Sequence, residues 1–325
     1  MTRLAPQPNA RLGPQTAAVQ VRVGVPHRGG RLPIACWRRG YPVMVSAAAF
    51  WDRKKRRMLI PTVTPLWDCD VVLDSAGFTA MQGFARRETP TQGIAGIYPW
   101  TLEDYLVLAS SLGGCLSWYA QPDFCCEPEI ASDQETRTWR VRATATLLEA
   151  NLRTVAEWQH AYYEGCRSDG RSIEAAERVA RDLLSPPVPV LQGWTADDYR
   201  ESCDLLAEVW ERWEGLYGLA LVGVGSVCRR GLTDPIHGIE AILRAIEDRL
   251  PSGARLHLFG VKGAALRALT GHPRVASVDS MAYDFAARRE ALVNQHSNSM
   301  SHRIDALDRW MSKNGCAGYD TEARG

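Results

Sequence analysis

Three aspartates, a glutamine and two glycines each follow a short apolar run in this chain. Asp74 follows VVL, Asp123 follows LSWYAQP, Gln192 follows VPVL, Gly223 follows LALV, Gly260 follows LHLF and Asp279 follows VASV. A carboxylate can move a proton or attack as a nucleophile. An amide both donates and accepts hydrogen bonds, and glycine lets the backbone approach a ligand closely. Together these groups could form a site for a heterocycle. Taken singly, an Asp after a strand is ordinarily a turn former or a helix N-cap. That ordinary explanation must be invoked again at every run, so the joint pattern is harder to dismiss.

The runs that carry these residues span 41–47, 70–75, 115–123, 188–193, 219–226, 255–260 and 274–280. Each has the length and apolarity of a strand buried on both faces. Helical patterns lie between them. TLEDYLVLASSL opens at Thr101 with Glu103 and Asp104 in its first turn, an N-terminal signature. A long periodic stretch runs from about 133 to 163, and IEAAERVARDLL, ADDYRESCDLLAEVWERW, DPIHGIEAILRAIEDRL and SHRIDALDRWMSKN follow. This alternation predicts an α/β fold with a parallel sheet. Seven strand candidates approach the eight of a TIM (β/α)8 barrel, with an open doubly wound sheet as the alternative. No G-x-G-x-x-G follows the first strand and no G-x-x-x-x-G-K-S/T occurs, which removes the commonest nucleotide-binding uses of an open sheet. In a barrel all strand C-termini meet on one face, so residues from 74 to 279 converge there. The expected organisation is a flexible tail at 1–25, a barrel at 26–295, and a C-terminal helix and tail at 296–325.

The net charge of +1 neither requires nor excludes a polyanionic partner. Cations are clustered at Arg38-Arg39, in the run Arg53 to Arg57, at Arg229-Arg230 and at Arg288-Arg289. Such clusters can hold phosphates or can be a solvated face. The nine cysteines include no C-x-x-C spacing, and His296 and His302 are six apart, which fits neither one helical face nor a metal pair. Neither a metal nor a cofactor is expected. No apolar run approaches the roughly 20 residues of a membrane span, and the N-terminus lacks an apolar signal core. The expected location is the cytoplasm, that of the host if a phage encodes the chain.

At this point the runs resemble a family. Leu73-Asp74-Ser75-Ala76-Gly77-Phe78 is similar to the D-S-G-G/A-F-Q block of tRNA-guanine transglycosylases, with Thr79 where the family has Gln. Val190 to Gly193 resembles their V-Q-G block, Leu221 to Gly225 their I-G-G segment, and Leu258 to Val261 their M-G-V-G. Val278 to Tyr283 is similar to the F-D-S-A-A-Y of archaeal members. The five blocks keep the family's order across most of residues 70–290. The family's C-x-C-x-x-C…H zinc module is missing, as is room for RNA-binding appendages. The chain therefore looks most like the DpdA-type DNA transglycosylases of phages and bacteria, which insert 7-deazaguanines into DNA.

The resemblance implies a TIM barrel that exchanges guanine in DNA for a 7-deazaguanine such as 7-cyano-7-deazaguanine (preQ0), and it admits an ATPase partner. It assigns Asp279 as nucleophile, with Asp284 as the fallback, and Asp74 as general acid/base. Ser75 and Phe78 would line the base pocket, and Asp123 would accept from the N1–H and exocyclic amine of guanine. Gln192 with Gly193 would meet the opposite edge, and backbone near Gly223 and Gly260 would approach the ring. Trp118, Tyr119, Trp194 and Tyr283 lie beside the strand ends, and Arg229, Arg230, Arg288 and Arg289 could grip phosphates. Alternatives are the same exchange on tRNA, a non-catalytic nucleic-acid-binding barrel, and an unrelated barrel hydrolase or aldolase. The last lacks metal ligands and has only Lys262 near a strand end.

Overall fold

Valines recur at every second position in Gln20–Val25, and they alternate with Gln20, Arg22 and Gly24. In the computed structural model, which describes residues 5–12, 19–87, 90–228, 230–261 and 263–314, this segment is the first barrel strand, β1. The others are β2 (Val43–Ser46), β3 (Val71–Asp74), β4 (Leu116–Tyr119), β5 (Val190–Leu191), β6 (Leu221–Val224), β7 (Arg255–Leu258) and β8 (Val275–Ser280). All eight are parallel and neighbours in space are neighbours in sequence, apart from the β8–β1 contact that joins the chain's two ends. A bridge between Ala120 and Val188 joins the edges beyond β4 and before β5, closing the cylinder. The barrel expectation holds, and the open sheet does not.

Side chains alternate in and out, as strand geometry requires. Val21, Val23, Val43, Val45, Val71, Leu73, Val222 and Leu256 face the helical layer and form the main core. Met44, Val72, Trp118, Val190, Leu221 and Ala276 fill the interior of the barrel. Counting on by two from the interior positions Val72 and Val190 reaches Asp74 and Gln192. The same alternation from Ser277, which touches His257 across the interior, reaches Asp279. The polar residues thus lie at the C-terminal mouth because they continue the inward-facing rows.

Among the described residues the helices are α1 (Arg31–Arg38), α2 (Gly77–Arg87), α3 (Leu102–Ser111), α4 (Gln134–Ser168), α5 (Ile173–Leu183), α6 (Ala196–Glu211), α7 (Ile239–Ile246), α8 (Gly263–Leu269), α9 (Ala282–Val293) and α10 (Met300–Lys313). Thr101 caps α3 in a reciprocal box with Asp104, as its sequence predicts, and Thr195 with Asp198 does the same for α6. Between β2 and β3 the chain makes no α-helix. It forms a short antiparallel hairpin, Trp51–Asp52 with Arg57–Met58, and a 3-10 turn at Pro65–Asp68.

The expected tail at 1–25 is corrected by the structure. Gln20–Val25 is a central strand paired to both β8 and β2. Gln7–Pro8 pairs with Tyr217–Gly218, and Asn9 is fully buried at the N-terminal end of the barrel. The Asn9 side chain donates to Leu221 O at 2.7 Å and accepts from the amides of Ala220 and Leu221 at 2.9 and 3.0 Å. Pro and Gln content suggests a tail, but these backbone and amide bonds pair with distant segments that local composition does not register.

Candidate active site

The turn after β3 builds one wall. Ala76 has φ of 65°, and the Asp74 carboxylate accepts from its amide at 3.1 Å, closing a tight turn before α2. Gly77 then starts α2 against Asp123, so closely that a Cβ there would lie 2.8 Å from Asp123 Oδ1 and 3.0 Å from the Tyr98 hydroxyl. Ser75 Oγ donates to Asp123 Oδ1 at 2.6 Å. Tyr98 accepts from the Asp123 amide at 2.9 Å and donates to its carbonyl at 2.6 Å, pinning the backbone. Tyr98 lies in a loop with no strand-end signature, and sequence reasoning missed it.

A second missed group extends from Asp123. Gln192 Nε2 donates to Asp123 Oδ2, and Ser226 Oγ lies 2.7 Å from Gln192 Oε1 and 3.0 Å from Glu127 Oε2. The amide is thereby oriented, with its nitrogen toward the carboxylate and its oxygen toward the hydroxyl. Ser226 has φ of 53°, and Gly225 makes room for this arrangement, since a Cβ there would lie 2.2 Å from Gln192 Nε2. Gly225, not Gly223, is the glycine that the polar cluster requires.

Asp279 lies at the inward end of β8. Its Oδ1 accepts from the Gly260 amide at 2.7 Å, in a turn where Gly260 has φ of 71°. A side chain at Gly260 would also meet Cys228 Cβ at 2.5 Å. His257, fully buried on β7, has Nδ1 2.8 Å from Ser277 Oγ and Nε2 3.4 Å from Asp279 Oδ1. Its ring packs edge-on between Trp118 and Phe259, at 4.8 and 4.6 Å. Burial holds the imidazole below its usual pKa, overriding the nearby carboxylate, so it is neutral at pH 7. Asp279 retains 14% side-chain exposure, so it is not sealed off at the mouth.

Burial, reinforced at Asp74 by neighbouring carboxylates, sets the electrostatics. Asp74 is pushed up to about 7, first by desolvation and then by the charges of Asp123 and Asp279. Its amide bond from Ala76 and a hydrogen bond from Ser46 pull the other way. Burial also raises Asp123 and Glu127, and their hydrogen bonds from Ser75, Gln192 and Ser226 offset only part of this. Asp74 thus senses both other aspartates, and the three carboxyls share one region at the mouth.

Other expected residues are placed differently. The Gly223 amide is engaged in the ladder, donating to Pro189 O at 2.8 Å, and the Phe259 ring covers the residue. It cannot donate to a base. Gly193 packs under the start of α6, where a Cβ would meet Asp198 Cβ at 2.8 Å. Arg230 is buried and donates to the carbonyls of Ser226, Trp194, His237 and Gly193, with its guanidinium 3.9 Å from the Trp194 ring centre. It is a loop strap, buried and with four of its five N–H donors spent on backbone carbonyls. Arg288 pairs with buried Asp284, which Arg303 also holds at 2.5 Å, so this pair serves the α9–α10 packing and Asp284 is no fallback nucleophile. Arg289 is exposed on α9, and Arg229 and Lys262 lie outside the described residues. Phe78 is partly buried at the first turn of α2.

Trp118, Tyr119 and Tyr283 are buried, and the Tyr283 hydroxyl donates to Gly24 O at 2.8 Å, so all three are packing residues. Trp194 remains partly exposed. The rings of His296 and His302 come within 4.6 Å, against the expectation from their spacing, and with Glu290 they bring three donor atoms within 4.8 Å of one another. His302 Nε2 already lies 2.9 Å from Ala287 O, however. A groove of about 720 Å³ runs along α4, lined by Ile94, Phe124, Trp139 and Leu147, and it includes none of the strand-end residues.

No helix among the described residues is long and apolar enough to cross a membrane. A search of curated proteins finds no match. The sequence profile of the family described as DpdA, DeoxyPurine in DNA protein A, matches residues 35–320 and so spans the barrel from α1 through β8 to the C-terminal helices. The chain therefore belongs to the DpdA family, and with it to transglycosylase-type enzymes that act on DNA.

Proposed function

We propose that this protein exchanges guanine in DNA for a 7-deazaguanine base of the preQ0 type through a covalent intermediate on Asp279. The observation that carries this reading is the convergence of Asp74, Asp123 and Asp279 at one mouth, where burial first and the two other carboxylates second raise Asp74 to about 7. The oxygen of Asp279 not held by Gly260 attacks C1′, and the C1′–N9 bond to guanine breaks as Asp74 gives the departing base a proton. The incoming base then returns a proton to Asp74 as its nitrogen bonds C1′ and Asp279 is released. Two displacements retain the configuration, as in retaining glycosidases. Protons balance over the cycle, and a carboxyl near neutrality suits both halves.

His257 supports this role for Asp279. Its neutral imidazole sets Nε2 3.4 Å from Asp279 Oδ1 without forming the full ion pair that would quench the carboxylate's nucleophilicity. Asp123 Oδ1, which among the described residues accepts from Ser75 alone, keeps a second lone pair for the N1–H and amine edge of guanine, while Gln192 and the Cys125 thiol hold Oδ2 in place. The base must leave the stack to reach this depth.

The test is digestion and mass spectrometry of nucleosides from duplex DNA, and in parallel from tRNA, after incubation with protein and preQ0. The deazaguanine nucleoside is expected from DNA and not tRNA. Asp279→Ala should lower the rate by roughly 10⁴-fold or more, the scale of losing a nucleophile. Full activity in that variant, or product in tRNA alone, overturns the reading.

A further inference from the structure

From the hairpin between β2 and β3, we infer that its basic tip, Arg53 to Arg57, is the surface that grips the phosphates of DNA beside the mouth. This rests on DNA being the substrate, as proposed above, and names the element that holds it. Five cations occupy five successive positions, and all five are exposed. Among the described residues no ion pair engages any of them, and the one side-chain hydrogen bond is from Arg56 to Gln92 Oε1 at 3.2 Å. Asp52, the nearby carboxylate, is held by the turn itself, accepting from the amides of Lys54 and Lys55 at 2.9 and 3.0 Å. Its pKa is lowered chiefly by these amide bonds, so it stays ionised and offsets one charge of the five.

The hairpin is built to keep that charge in place. Its strands pair Trp51 with Met58 and Asp52 with Arg57, Leu59 N donates to Phe50 O at 2.7 Å, and Arg56 takes the turn at φ of 49°. At the base, Trp51 packs on buried Trp100 with ring centres 5.7 Å apart. Both anchors lead to the site. The hairpin follows β2, whose last residue Ser46 is paired with Asp74 in the sheet, and Gln92 lies in the same loop as Tyr98, which pins Asp123. A solvated positive surface with no partner would not need a rigid mount tied to two strand-end carboxylates. Of the cations that spacing suggests, Arg230 is meanwhile buried on backbone carbonyls and Arg288 is paired with Asp284.

The experiment measures duplex DNA binding by fluorescence anisotropy over a series of salt concentrations, using wild type, Lys54→Gln/Lys55→Gln, and Arg53→Gln/Lys54→Gln/Lys55→Gln/Arg57→Gln. Arg56 is kept for its bond to Gln92, and the Asp52 turn survives because it uses backbone amides. Each phosphate that is no longer neutralised should lower the slope of log K against log salt by about 0.9. The double variant should drop by one to two such steps and the quadruple variant by more, with at least about tenfold weaker binding at low salt. An unchanged slope in both variants overturns the inference. Base exchange by the wild type is scored separately. Exchange with an unchanged slope sinks the hairpin but not the reaction, and hairpin-dependent binding without exchange sinks the reaction but not the hairpin.

Discussion

At the scale of single residues, Asp74 is held in conflict. Desolvation and two neighbouring aspartates oppose its ionisation, yet the chain keeps a carboxyl there and supports it with Ala76 and Ser46. Because its folded pKa of about 7 lies above the unfolded value near 4, the protonated form is favoured in the native state. Stability linked to this group is full below pH 4 and is lost as pH rises through about 7. Asp74→Asn removes the penalty. Its melting temperature should therefore exceed that of wild type by a margin that grows from pH 5 to pH 8, by on the order of 3 °C, while exchange activity collapses. Differential scanning fluorimetry across that range checks it, and a pH-independent margin would contradict the raised pKa. Asp74 and Asp279 are legible in the sequence because each ends an apolar run in an inward phase. His257 is not, since a histidine inside such a run reads as core until its ring is seen beside Asp279.

At the scale of elements, the join between β3 and α2 decides the geometry of base recognition. Gly77 is required by the approach of α2 to Asp123, not by its own dihedral angles. In Gly77→Ala the new methyl would press on Asp123 Oδ1 and on the Tyr98 hydroxyl, so the carboxylate must move. Overpacking of this kind costs about 1–3 kcal/mol. The expected result is a KM for the incoming base raised at least about tenfold, consistent with that cost, and a larger relative effect on KM than on kcat. Steady-state kinetics with varied preQ0 measures the split, and an unchanged KM would show that Asp123 does not hold the base. Five of the six strand ends named from sequence carry or directly support the site, Gly260 by holding Asp279. Gly223 does not, because a residue two positions on, Gly225, lies where the Gln192 side chain must pass. Block spacing places a glycine in a strand, but only packing tells which glycine has a neighbour pressed against it.

At the scale of the whole molecule, the two ends of the barrel are treated differently. The C-terminal mouth gathers buried carboxyls with raised pKa values, whereas the N-terminal end is stoppered by residues 5–12 and by Arg22, whose guanidinium bonds Asp70 at 2.9 Å. Asn9→Ala would leave the amides of Ala220 and Leu221 and the Leu221 carbonyl without their side-chain partner. Stranding buried polar groups costs about 1–3 kcal/mol. Urea denaturation should show a destabilisation of that size with the choice of inserted base unchanged. A variant as stable as wild type would mean that the segment does not brace the barrel.

The sequence by itself determined the α/β alternation, seven of the eight strands, the capped start of α3, and the acidic and amide residues at the strand ends. These are local properties, written in periods of two and in residue types at the ends of runs. Tertiary structure decided the rest. It drew β1 and its plug out of an apparent tail, recruited Tyr98, Glu127, Ser226 and His257 to the cluster, turned Arg230 inward and paired Arg288 with Asp284, leaving the β2–β3 hairpin to face solvent with its charge. Whether a cation is spent or available, and whether a carboxyl is shifted, depends on neighbours far away in the chain, and no local pattern encodes them.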